Sequence, residues 1–235
     1  MSAIFKREFK TFFTSPIGYF VLAVLFGFSG FYFFATNMYA GSADLSGVFG
    51  GLFTIVLLLV LPVLTMRLLS DDKRQRTDQA LLTAPVSLTG IALGKFLAAL
   101  LLFAIGISIT LVFAVIIAFQ VTPDWLVIVG NYVGLLLLGG MVIAIGLFIS
   151  SLTVSQIIAA IGTFIISVLL MYMDSLASVV SNEVLSTAIQ WFSFNDRYST
   201  FTQGMFSISS VIFFISVVAV FVFLTARKVE SRRWS

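Results

Sequence analysis

Apolar residues arrive in uninterrupted runs broken by short polar or charged segments. About twenty residues, each rising 1.5 Å, let a helix cross the ~30 Å hydrocarbon core of a bilayer. Six runs of roughly that length stand out: Ile17 to Thr36, Phe49 to Leu69, Ile91 to Phe119, Leu126 to Ile149, Ile157 to Met173 and Ile208 to Ala226. Soluble-core strands and helices are shorter, so the pattern predicts an all-α membrane protein. The predicted fold is a six-transmembrane-helix bundle in a single transmembrane domain over residues 1–235, with no repeat or Pro/Ser-rich linker to divide it. The first run exceeds the apolar core of a secretory signal, about 7 to 15 residues, and is read as an uncleaved span. Pro62, inside the second run, removes one backbone hydrogen bond and predicts a bend there.

Two segments between the runs have helical patterns of their own. Over residues 1–15, Phe5, Phe9, Phe12 and Phe13 fall on one side of a helical wheel and Lys6, Arg7, Lys10 and Thr14 on the other. That predicts an interfacial elbow helix ended by Ser15 and Pro16, although a basic leader that only sets topology has the same pattern. In residues 174–207, Val180, Val184, Ala188 and Trp191 repeat at helical spacing beside Leu185, Ile189 and Phe192, with Asn182, Glu183, Ser186 and Gln190 opposite. A turn at Ser193 to Asp196 and a second short helix carrying Tyr198, Phe201 and Met205 complete a predicted outer helical hairpin. It fits a gate and a passive cap equally.

Composition strengthens the membrane reading: 60% of residues are hydrophobic, 10% are charged, and the mean hydropathy is +1.14. The net charge of +3 does not point to nucleic acid, because the basic residues flank apolar runs. Twelve of the 13 Lys and Arg residues lie in the N-terminal segment, between the second and third runs, or at the C-terminus. Six crossings put all of these on one side and leave Arg197 with Asp44, Asp124, Asp174, Glu183 and Asp196 on the other, which predicts cytoplasmic termini. With Cys 0 and His 0, the usual zinc ligands, thiol nucleophiles and Ser/His hydrolase bases are missing, and no catalytic, cofactor-binding or metal-ligating residue is nominated. The runs hold almost no ionisable residue away from their ends, and Arg67 and Lys95 lie near enough to an end to snorkel. This disfavours a proton-coupled carrier and an aspartyl intramembrane protease. Gly130 with Gly134, and Gly140 with Ala144, predict close helix packing along the fourth span.

The most informative polar stretch is the connection over residues 70–85. Ser70 is placed to cap a short helix, Asp71 and Asp72 suit its positive end, Asp72 and Arg76 form an i,i+4 pair, and Pro85 ends it. Leu81 and Leu82 beside these charges predict a docking surface rather than a solvated turn. Gly90 to Lys95 superficially suggests a phosphate-binding loop, but it is one residue short, is followed by Phe96, and has no preceding strand.

Several stretches resemble the permeases of second-type ABC exporters, most closely those similar to the gliding-motility-associated permease. They are Ser15 to Phe20, Leu61 to Arg67, Leu81 to Ser87 with Gly94 and Lys95, Gly146 to Leu152, and Ser231 to Trp234. Relatives usually carry a Gly-Thr-Leu-Glu-like stretch where this chain has Arg76, Thr77, Asp78 and Gln79. The resemblance implies a six-span permease in the bacterial inner membrane, with a coupling helix whose Asp71, Asp72, Lys73, Arg74, Arg76, Asp78, Leu81 and Leu82 meet an ABC ATPase. Two copies of that ATPase would carry ATP and Mg. The membrane partner would be a second permease copy or a larger accessory permease with a periplasmic domain. Substrate export is the expected role, and a non-transporting anchor that passes force to an envelope partner is the alternative.

Overall fold

In a computed structural model of the chain, residues 2–75, 87–175 and 193–231 are described. Helix α1 (Ser2–Thr14) turns at Ser15 into α2 (Pro16–Phe33), where Pro16 occupies the first helical turn and lacks an N–H that would have no partner there. A side chain at Gly18 would collide with the carbonyl of Phe12, so this glycine lets the two helices meet at a tight corner. Continuing through a π-helical turn (Phe34–Tyr39), α2 completes a 24-residue apolar stretch, Pro16–Tyr39.

The second stretch comprises α3 (Ser46–Ile55), a π-helical turn (Val56–Val60) and α4 (Leu61–Thr65), followed by the short α5 (Ser70–Arg74). The disturbance expected at Pro62 takes the form of this widened turn just ahead of it. Leu61 donates its N–H to Val56 five residues back, and the ladder resumes around the proline. Next come α6 (Leu88–Ile107) and α7 (Ile109–Ala118), which meet at Ser108 where one continuous run was expected. There the serine hydroxyl bonds the Ala104 carbonyl at 2.6 Å and approaches Tyr132 Oη at 3.2 Å, so a side chain has entered the helical ladder. Then follow α8 (Trp125–Leu152), α9 (Gln156–Met171), α10 (Phe194–Thr202) and α11 (Ile208–Ser231).

No strand occurs among the described residues, and five stretches are long and apolar enough to cross a membrane: Pro16–Tyr39, Ser46–Arg74, Leu88–Ala118, Trp125–Leu152 and Ile208–Ser231. The remaining run, the fifth, is the apolar helix α9, only 16 residues long. Its start and finish nevertheless reach different ends of the bundle. Gln156 bonds Asp71 on α5, whereas the Met171 carbonyl accepts from Asn195 on α10, which packs at the opposite end against the beginning of α8.

Helix α8 is the central post, touching α4, α6, α9, α10 and α11. Of its most apolar stretch 72% is buried, against 28% for the first span and 22% for the last, which turn most of their surface outward. Small residues allow this central packing. A Cβ at Gly134 would lie 2.8 Å from Phe201 Cβ on α10, and one at Gly146 would lie 2.5 Å from Thr65 Oγ1 on α4. Gly130 opposes the Phe201 carbonyl, and Ala144 is fully buried. The small residues expected to pack on the fourth span therefore do so inside the bundle.

The described part of the outer segment differs in one respect from the expected hairpin. Ser193 is an N-cap that accepts from the Asp196 N–H, so residues 194–196 form the first turn of α10 instead of a separate loop. Val180, Val184, Ala188, Trp191 and Phe192 lie outside the described residues, as do Arg76, Asp78, Leu81 and Leu82.

Candidate functional site

The charged end of the bundle is built from α1, residues 67–75 and the beginnings of α6 and α9, with the finish of α8 beneath them. On α1, Ile4, Glu8 and Phe12 follow one another at i,i+4 spacing and face α6; Ile4 and Phe12 are buried. Close approach is possible because Gly94 has no side chain: a Cβ there would sit 3.0 Å from Ile4 Cγ2. Phe5, Phe9 and Phe13 form a half-buried ladder of stacked and edge-on rings, 6.0 and 5.1 Å apart, while Lys6, Arg7 and Lys10 are exposed. Phe12 thus parts from the other three phenylalanines, with which the helical wheel had grouped it.

Lys95, one residue beyond Gly94, was expected to snorkel towards water, and the structure corrects this: its side chain is only 2% exposed. The reason is that two carboxylates come to it. Glu8 of α1 lies 3.0 Å from Nζ and Asp72 of α5 lies 2.7 Å from it, while Arg7 approaches the other Asp72 oxygen at 3.7 Å. Two cations and two anions make the group electrically neutral. A lone buried ammonium would cost several kcal/mol, and about 3–5 kcal/mol is the usual penalty for removing one partner of such a group.

Around this group the connection is tied down residue by residue. Arg67 donates to Ser15 Oγ at the elbow corner at 2.8 Å and pairs with Asp71 at 3.4 Å. Asp71 also accepts from Gln156 at 2.8 Å and from Gln75 at 3.1 Å. Ser70 does not cap α5 as expected: its own hydroxyl donates back to the Met66 carbonyl. The buried hydroxyl of Ser150, on α8, instead accepts from the N–H groups of Leu69 and Ser70 at 3.1 and 3.0 Å. Lys73 donates to the carbonyls of Ser151 and Thr153, neutralising the negative end of the α8 dipole. Asp71 and Asp72 occupy the first turn of α5, as anticipated, and Arg74 faces solvent.

Between α1 and this segment lies a cavity of about 230 Å³, lined among others by Arg7, Glu8, Thr11, Arg67, Asp71 and Gln75. It is smaller than the ~300–1,000 Å³ of ordinary ligand pockets, and its walls carry both signs of charge, which suits a joint better than a passage. Glu8, Lys95, Ser150 and Gln156 were not nominated from the sequence. Only Glu8 left a usable trace, its i,i+4 spacing between Ile4 and Phe12.

Long apolar helices, with the buried charge among the described residues gathered at one end, define a multi-pass helical membrane protein. Residues 6–173 match the family model described as ABC-2 family transporter protein, and the chain belongs to that family. No curated protein and no solved structure matches it. Membership makes the chain a membrane permease component of an ABC transporter, a class of protein that works with an ATPase subunit. The matched stretch contains every residue of the charged cluster.

Proposed function

We propose that this chain is the exporter-type permease subunit that receives the motion of a separate ATPase through residues 70–85 and passes it into the membrane. The observation that carries the reading is the way α5 is held. Its charges and its N-terminal N–H groups are anchored on α1, α6, α8 and α9, while Arg74 points to solvent on the side open to a partner. A segment needed only to link two spans has no need of so many anchors. The nucleotide site, with ATP and Mg, belongs to two ATPase copies. The membrane partner is a second permease copy or a larger accessory permease, as in the gliding-motility type.

Six crossings are the topology this reading requires, with α9 as the fifth, and the reach of α9 from Asp71 to Asn195 supports it. The last turns of α11 share a cavity of about 370 Å³ with Ser87, Leu88 and Thr89 at the beginning of α6, which supports placing both termini on the cytoplasmic face of the inner membrane. In that frame α1 is the interfacial elbow and residues 174–207 the extracytoplasmic hairpin.

The test is co-purification of the ATPase. Leu81→Asp and Leu82→Asp should abolish its recovery, because an unpaired carboxylate in an interface costs several kcal/mol. Arg74→Glu and Arg76→Glu should weaken recovery by slowing association. Membrane insertion should be unaffected in all four. Wild-type ATPase recovery and turnover in every variant would refute the docking assignment.

A further inference from the structure

We propose that Lys95 is a positioning residue that joins α1, the 67–75 segment and the beginning of α6 into one mechanical body. A push on the connection would then enter the elbow and the third span together. The inference rests on the coupling role proposed above and adds the joint through which that role is exercised.

The geometry is a closed triangle. Helix α1 is tied to α6 by Glu8 and Lys95 at 3.0 Å, and α5 is tied to α6 by Asp72 and Lys95 at 2.7 Å. The third side runs from α5 to α1 through Asp72 and Arg7 at 3.7 Å, reinforced where Arg67 reaches Ser15 at the elbow corner at 2.8 Å. A single tie between two elements permits rotation about it. Ion pairs that converge on Lys95 and Asp72 still leave a pivot, and the contacts away from it, Arg67 to Ser15 and Ile4 against Gly94, remove that rotation. The ammonium at the apex has three donors, and carboxylates from two different elements occupy two of those directions.

Stability alone is a poor reason for such a group, since well-packed apolar side chains usually replace a buried ion cluster at equal or lower free energy. What the charges contribute is direction: each pair fixes one element against another at a defined atom. Gly94 serves the same end by letting the α1 backbone lie against α6 immediately beside the ammonium. Phe12 and Ile4 then close the apolar side of the joint.

Lys95→Met alone would strand two carboxylates, so the informative variant is the triple Glu8→Gln/Asp72→Asn/Lys95→Met, which removes the ammonium together with both carboxylates that meet it and leaves only Arg7, whose side chain is 51% exposed to solvent. In the full complex with its ATPase in lipid, recovery of the ATPase should stay within about twofold of wild type, because the Asp72 carboxylate is turned inward onto Lys95 and is not free to meet a partner, while permease-stimulated ATP turnover falls about tenfold or more. Turnover within about twofold of wild type would overturn the proposal, as would a parallel loss of recovery and turnover, the signature of a merely structural role. A second measurement does not depend on the ATPase. The chain has Cys 0, so spin labels can be placed at Lys10 and Gln75, both exposed. Their distance distribution should be narrow with the ion cluster intact and broad in the triple variant. An unchanged distribution would refute the joint even if coupling stands, whereas failure of the wild-type chain to recover any ATPase, with the distribution broadening as expected, would refute the coupling role and leave the joint standing. A disulfide between cysteines replacing Ile4 and Gly94, whose Cβ positions lie 3.2 Å apart, should leave turnover within about twofold. A tenfold loss on oxidation, reversed by reductant, would show that α1 and α6 separate during the cycle and would overturn the single-body assignment.

Discussion

Replacing Ser150 by Ala removes one hydroxyl and orphans two backbone donors. The Ser150 oxygen accepts from Leu69 and Ser70 and donates to the Met66 carbonyl at 3.2 Å, and all of this happens at a fully buried position on α8. Each buried N–H left without a partner costs about 1–3 kcal/mol, and loss of an N-cap interaction costs about 0.5–2 kcal/mol. Because the two donors share one acceptor, these overlap, and we expect about 2–4 kcal/mol of local destabilisation. At roughly 1.4 kcal/mol per factor of ten, residues 66–75 should open about 30- to 1,000-fold more often. Amide hydrogen exchange of peptides covering that segment, in nanodiscs, reads the effect directly. The neighbouring Ser151→Ala is the control: its hydroxyl bonds only the Phe148 carbonyl, at 2.5 Å within its own helix, and its removal should cost below about 0.5 kcal/mol. Equal exchange of residues 66–75 in the two variants would refute the claim that α8 caps the connection.

Gly134→Leu should loosen α10 from α8, because even its Cβ would sit 2.8 Å from Phe201; a loss of about 1–3 kcal/mol is expected, read as a lowered unfolding temperature in detergent. An unchanged midpoint would mean that α10 yields freely. Single cysteines at Asp44 and Asp124 should react with an impermeant thiol reagent from the periplasm and those at Ser2 and Ser235 should not, and labelling of either terminus would invert the topology. Spin labels at Ile161 and Ile165, on the exposed side of α9, should be accessible to oxygen and shielded from water-soluble nickel complexes. High nickel accessibility at both would mean that α9 does not cross.

How far the fold could be read from the sequence depended on what each feature is made of. Spans are legible because length and apolarity are local properties. The expected Leu126 to Ile149 becomes Trp125–Leu152, extended by an Asp124 cap whose carboxylate takes the Leu126 N–H at 3.1 Å. The charged cluster was only half legible, because Glu8, Asp72 and Lys95 are distant in sequence and only the packing of three helices unites them. A lysine near the end of an apolar run ordinarily snorkels, and nothing local to Lys95 announces that two acids will reach it. Ser70 misled for a related reason. A serine before two aspartates fits an N-cap by pattern, yet the helical turn preceding it offered the Met66 carbonyl to its hydroxyl, and a serine from another helix took over the capping.

Helix α8 gives these separate features a common frame. Near its beginning, Gly130 and Gly134 admit α10; near its finish, Ser150 caps α5 and the carbonyls of Ser151 and Thr153 hold Lys73. One 28-residue helix, about 42 Å long at 1.5 Å per residue, therefore touches the connection at one end of the bundle and the outer segment at the other. It has no proline and runs unbroken from Trp125 to Leu152, whereas the second span has a π turn ahead of Pro62 and the third is interrupted at Ser108. Helix α9 makes the same connection, from Gln156 at Asp71 to the Met171 carbonyl at Asn195, so under the proposed coupling role a displacement imposed at α5 would reach α10 through both helices. Burial follows the same division: α8 is the most enclosed of the five long spans, while the first and last keep their surfaces for surroundings outside the chain. Under that proposed role, α8 and α9 would carry motion between the two ends of the bundle, and the π turn ahead of Pro62 and the interruption at Ser108 are where the second and third spans would absorb it.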